Sequence, residues 1–144
     1  MDQLVVAVDG SQHSAKVVDY AAQLARSIPA RILLVNVIPD PRVPSGYVEY
    51  TKMDGLDPNA YFERVAQHIS ETLGSRLKLA GLEYEVATRI GNPANLVLGL
   101  AKRRKASMII IGVFGLHHLG RTRSLGSVSR RIVENSSIPV VLVP

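Results

Sequence analysis

Four apolar runs of strand length, each halted by a glycine or proline within two residues, limit the folds open to this chain more than any other feature. They are Leu4-Val5-Val6-Ala7-Val8, Arg31 to Val37 (RILLVNV), Met108 to Ile111, and Pro139-Val140-Val141-Leu142-Val143. Their apolarity is near-continuous rather than alternating, as expected of strands covered on both faces in a parallel sheet. Parallel neighbours need crossover connections, and the sequence between the runs supplies helical periodicity. Val17, Ala21, Leu24, Ala25 and Ile28 predict a helix from about Ser14 to Ile28. Asp57-Pro58 reads as an N-cap with proline in the first turn. The helix it opens is expected to run to about Ala80, burying Phe62, Val65, Ile69, Leu73 and Leu77, and to end at Gly81. After the turn Gly91-Asn92-Pro93, a third helix is predicted from about Ala94 to Arg104, with Val97, Leu100 and Ala101 inward.

Glu83 to Ile90 (EYEVATRI) alternates polar with apolar residues, which predicts an edge strand with one wet face. Ser127 to Asn135 predicts a short helix, with Leu125, Val128 and Ile132 spaced three and four apart. Pro41 to Leu56 shows no periodicity and reads as a long surface loop. The order β-α-β-α-β-α-β-loop-α-β predicts one α/β domain over residues 1–144, an open parallel five-stranded sheet with helices on both faces. In the flavodoxin-like order 3-2-1-4-5, strands one and four are neighbours whose connections leave in opposite directions. Their carboxyl ends then form the crevice where ligands bind.

Composition narrows the function classes. Hydrophobic residues make up 47% and charged residues 20% of the 144, so a packed core is expected rather than disorder. The absence of cysteine excludes disulfides and thiolate chemistry. No apolar run approaches the roughly 20 residues that span a bilayer. Met1-Asp2-Gln3 followed by a short apolar stretch does not read as a secretory signal, so a cytoplasmic protein is expected, with no membrane partner. The net charge of +5 is scattered apart from Lys102 to Lys105 and the group Arg121, Arg123, Arg130 and Arg131. Few aromatics lie beside these cations, so nucleic-acid binding is not expected. At a helix C-terminus, Lys102 to Lys105 simply meets the macrodipole.

Two features point to a ligand. In the first, Ile109-Ile110-Ile111 stops at Gly112, Gly115 follows, and Gly126-Ser127-Val128 opens the short helix. Glycines permit close backbone approach, and a helix N-terminus attracts anions, with Ser127 able to cap the helix or donate to a phosphate oxygen. The same residues also suit an ordinary strand-to-helix connection. The second feature is Asp9-Gly10-Ser11 at the end of the first run, which the predicted order sets beside Gly112. The Asp9 carboxylate can accept from adenine or ribose groups, or cap the first helix, or both.

Val8-Asp9-Gly10-Ser11 with Ser14, the LLVNV strand, Gly91-Asn92-Pro93, the Ile-Ile-Ile-Gly-x-x-Gly segment and Gly-Ser-Val before IPVVLVP together resemble the universal stress protein family, over essentially the whole chain. The glycine motif is the most specific part. The resemblance implies the five-stranded fold, a homodimer and, in the motif-bearing branch, bound ATP, with or without magnesium. Carried onto matching positions, it implies that Val8 and Asp9 contact adenosine and that Val37 lines the adenine pocket. Ile111 and Gly112 would pass beneath ribose and phosphates, while Gly115, Gly126, Ser127 and Val128 hold phosphate oxygens. The ten residues between Gly115 and Gly126 are one more than the usual spacing, and Ser107 stands where an aspartate is common. An exposed, charge-free final strand supports the dimer, since such an edge invites pairing with another chain.

Gly115 to Thr122 imitates a P-loop with Arg121 in the lysine position, but no helix begins there, so a P-loop is not expected. Adjacent His117 and His118 lack an acidic or cysteine partner nearby and predict no metal site. Together with Arg121 and Arg123, His117 can flank a triphosphate or lie in solvent. His13 and His68, single residues on helices, are expected to be exposed. The expected function is that of an ATP-binding stress-response regulator or sensor. Alternatives are a slow ATPase or phosphotransfer enzyme, and a dimeric scaffold that has lost its nucleotide. Asp9 is the only obvious acidic group near the site, whereas phosphoryl transfer needs metal ligands and a group that orients the nucleophile.

Overall fold

The computed structural model describes residues 1–38, 58–114 and 125–144. The expected loop from Pro41 to Leu56, the Asp57 cap, Gly115 and the His117–Arg123 region lie outside the described residues. The strands are β1 (Asp2–Val8), β2 (Ala30–Ile38), β3 (Tyr84–Ile90), β4 (Met108–Gly112) and β5 (Val140–Val143). They form one sheet in the order β3-β2-β1-β4-β5, every pair parallel, as the alternating sequence predicts.

The central register explains the apolar runs. Val6 of β1 sits between Leu34 and Ile110, and Val5 between Leu33 and Ile109. Leu4, Val6, Ile32, Leu34 and Ile110 enter a core on one face, whereas Val5, Leu33, Val35, Ile109 and Ile111 enter a second core on the other. Alternate residues therefore point to opposite faces, and both faces are dry. The first core is closed by α1 (His13–Ser27), through Val17, Val18, Ala21 and Ala25. A broken helical segment completes it: α2 (Pro58–Ile69), a π-helical turn (Ser70–Gly74) and α3 (Ser75–Leu79). The second core is closed by α4 (Pro93–Arg103) and α5 (Ser127–Asn135).

The sequence predicts one continuous helix where the π turn interrupts it. Ile69, Leu73 and Leu77 are all buried at a constant spacing of four. That spacing overshoots a turn of 3.6 residues, and a wider turn takes up the drift and keeps all three on the core side. Gly74 makes room for the Tyr84 ring of β3, since a Cβ there would lie 3.0 Å from Tyr84 Cε2. Phe62 and Val65 are only half-buried.

β3 is an edge strand, as its alternation predicts. Its outward Glu85 takes a bidentate pair from Arg104 just past α4, at 2.7 and 2.8 Å. The Arg104 hydrogen bonds hold the Glu85 carboxyl below its usual range, partly opposed by desolvation. This small contribution to stability is therefore present above the ordinary carboxylate pKa and lost as pH falls through the lowered one.

Two helix ends use the same closing motif with different residues. After α3, Gly81 at φ +73° bonds Lys78 O, and Leu82 N bonds Leu77 O. After α4, Lys105 at φ +51° bonds Lys102 O, and Ala106 N bonds Ala101 O. A β-carbon in the left-handed region costs about 1 kcal/mol, which glycine avoids. Lys105→Gly is therefore expected to raise stability by roughly 0.5–1 kcal/mol, read as a higher urea midpoint at unchanged slope.

Candidate functional site

The β1–β4 boundary is where the chain reverses its direction of travel across the sheet. From β1 it passes to α1 on one face, and from β4 to α5 on the other, so the carboxyl ends of the two strands flank the switch point. Two turns meet there.

The first turn is Asp9-Gly10-Ser11. Gly10 adopts φ +80°, a region that suits glycine. Asp9 Oδ1 accepts from Ser11 N at 2.9 Å and Ser14 Oγ at 3.0 Å, while Asp9 N donates to Ser14 Oγ at 3.3 Å. The carboxylate thus secures the entry to α1, the structural role allowed for it in the sequence. Asp9 remains half-exposed at the strand tip.

The second turn is the exit from β4. Gly112 is buried, and its carbonyl accepts from the buried Ser129 hydroxyl at 2.7 Å. Val113 N donates to Val143 O at 3.0 Å, and Gly126 N donates to Val113 O at 3.0 Å. These bonds fix the start of α5 against the ends of β4 and β5. Gly126, not Ser127, is the N-cap, with extended backbone and no side-chain cap. Ser127 is exposed. Of the two roles open to Ser127, capping this helix is corrected: it is the first helical residue, not the N-cap.

The remaining sequence-predicted residues fall on both sides of the sheet. Val37 and Ile111 are buried in the α4–α5 core, and half-buried Val128 packs against it. The Val8 side chain lies in the opposite core, under α1, so only its backbone faces the strand-end crevice. Gly115 lies outside the described residues.

Two residues that pin the site were missed in the sequence. Ser129 holds Gly112 from α5; its only trace is a small polar residue on the inward face of an amphipathic helix. His13, expected to be exposed, is half-buried, with its Nε2 2.8 Å from Val143 O. No sequence pattern signals a partner 130 positions away. His68 is exposed, as expected.

Elsewhere on the α1 face, Asn36 and Thr88 oppose each other across β2 and β3 near the carboxyl end of the sheet. Asn36 Nδ2 and Thr88 Oγ1 are buried and have no hydrogen-bond partner among the described residues. An orphaned buried hydroxyl costs about 1–3 kcal/mol, and an isosteric apolar replacement relieves it. Thr88→Val is therefore expected to raise stability by about 1 kcal/mol in a urea titration.

Comparison with known proteins agrees with this architecture. The model of the universal stress protein family matches residues 1–144. Universal stress protein YxiE of Bacillus subtilis (strain 168) is 29% identical, with 99% of this chain and 98% of that protein covered. A universal stress protein solved in complex with cAMP has a TM-score of 0.69 at 26% identity, covering 99% of this chain and 95% of that one. One from Archaeoglobus fulgidus, in complex with dAMP, has a TM-score of 0.66 at 20% identity, covering 100% of this chain and 98% of that one. Among the described residues no helix is long and apolar enough to cross a membrane.

Proposed function

This chain belongs to the universal stress protein family, and on that premise we propose that it binds an adenine nucleotide, ATP in the first instance, as a regulator rather than a catalyst. The observation that carries the reading is the uncapped start of α5 at Gly126, placed at the switch point beside the Asp9 turn. Gly126 has no side chain with which to cap the first amides, and a helix start built this way favours a phosphate. Exposed Ser127 adds a hydroxyl at the same place. Support also comes from the relative solved with cAMP, which is 26% identical over nearly the whole chain.

In this reading the adenosine lies against the ends of β1 and β2, near Asp9 and Val37, and the phosphates run toward Gly112, Gly126, Ser127 and Val128. Asp9 Oδ1 already takes two donors from its own turn. That is the geometry of a group that shapes a pocket, and it argues against a mobile catalytic base. The nucleotide state would then alter shape or partner choice. Two copies would pair through β5, whose outer edge carries only Val140, Val141, Leu142 and Val143.

Calorimetric titration with ATP, cAMP and adenosine tests the binding. Saturable binding of ATP is expected, and absence of any adenine ligand would leave the scaffold alternative. Incubation with ATP and magnesium is expected to give no sustained turnover; turnover that disappears in Asp9→Asn would establish the enzyme instead. Light scattering at micromolar concentration is expected to return the mass of a dimer.

A further inference from the structure

His13 stands in the first turn of α1, one residue before the Ser14 that grips Asp9. Its ring crosses to the far side of the switch point. Nε2 lies 2.8 Å from Val143 O, the same carbonyl that receives Val113 N. A carbonyl only accepts, so Nε2 carries the proton and donates. The ring edge also occupies the space beside Gly112: a β-carbon there would lie 2.6 Å from His13 Cδ2 and 3.2 Å from Nε2. Gly112 is bare, therefore, because the histidine fills the place of its side chain.

We propose that His13 is the positioning residue of the Gly112 turn, bracing the Gly112–Val113 backbone against the end of β5 at the crevice toward which the anionic tail of the ligand runs. The inference deepens the nucleotide reading and rests on it for the identity of the ligand. Without the Nε2 donor, Val143 O keeps Val113 N alone among the described donors, and the β4 exit loses the His13 brace from α1. The phosphate end of the site then shifts, whereas the adenosine end, built on β1 and β2, does not.

The test compares the unaltered protein with His13→Leu, which keeps bulk without the donor, and His13→Gln, whose amide reaches about as far as Nε2. ATP and adenosine are titrated into each, and amide hydrogen exchange is followed at Val113 and Gly126. In His13→Leu, ATP affinity is expected to fall about tenfold, the scale of one or two lost hydrogen bonds, with adenosine affinity unchanged. Exchange at Val113 is expected to quicken by a similar factor, and His13→Gln to restore both. Equal losses for ATP and adenosine, or unchanged exchange at Val113, would overturn the proposal. Should the unaltered protein bind neither ligand, the nucleotide reading fails on its own. Exchange then decides for or against His13 alone, and a His13→Leu chain too unstable to titrate is decided by exchange and ATP binding in His13→Gln.

Discussion

Ile110→Ala is expected to lower the unfolding free energy by about 3–5 kcal/mol, at the upper end of the range for truncating a buried isoleucine. Ile110 is 0% exposed and sits on β4 between Val6 of β1 and Val141 of β5. It belongs to the core closed by α1. Strands pinned by register on both sides cannot collapse into the vacated space, so most of the cavity persists and its cost is felt in full. The loss is a large share of the stability usual for a chain of this size. Urea unfolding should show a much lower midpoint at unchanged slope. Leu79→Ala, at a position 89% exposed, is the matched control and should stay within about 0.5 kcal/mol of the parent.

The second large effect is expected at the site. Gly112→Ala adds one methyl group, 2.6 Å from His13 Cδ2 and 3.2 Å from Phe114 O. One contact is a ring held at its far end by Val143 O; the other is backbone. Neither gives way cheaply, so a cost of about 1–3 kcal/mol is expected, as for overpacking elsewhere. His13→Ala clears the nearer obstacle. The double variant should therefore be more stable than the sum of the single effects predicts, with a coupling of about 0.5–3 kcal/mol. Strict additivity would mean that the ring is not what keeps position 112 bare.

These two residues show how far the sequence could be read. Ile110 was legible because burial on both faces writes itself as an unbroken apolar run. Such runs with helices between them argued for a parallel sheet, whereas the order 3-2-1-4-5 came from the flavodoxin-like pattern and not from the runs. Gly112 was legible as a bare residue at a strand end, but the reason for its bareness was not. A glycine records that something comes close without recording what, and the neighbour, His13, lies 99 positions earlier on another element. Asp9 was seen in both of its possible roles because its hydrogen-bond partners, Ser11 and Ser14, are local. Two roles stayed open to Ser127, cap or phosphate donor, because serine before an apolar stretch is the common cap signature; one residue of phase gave the cap position to Gly126. The π turn escaped because a spacing of four fits an ordinary helix over two turns and drifts only over three.

The two borders of the sheet are unlike. β3 exposes Glu85 and Arg89, and Glu85 is clamped by Arg104, whereas β5 offers an uncharged hydrocarbon border. A ribbon with one guarded rim and one adhesive rim can extend in a single direction. If two such ribbons join by their adhesive rims, only guarded rims are left outward, and growth stops at a closed pair instead of running on into a fibre.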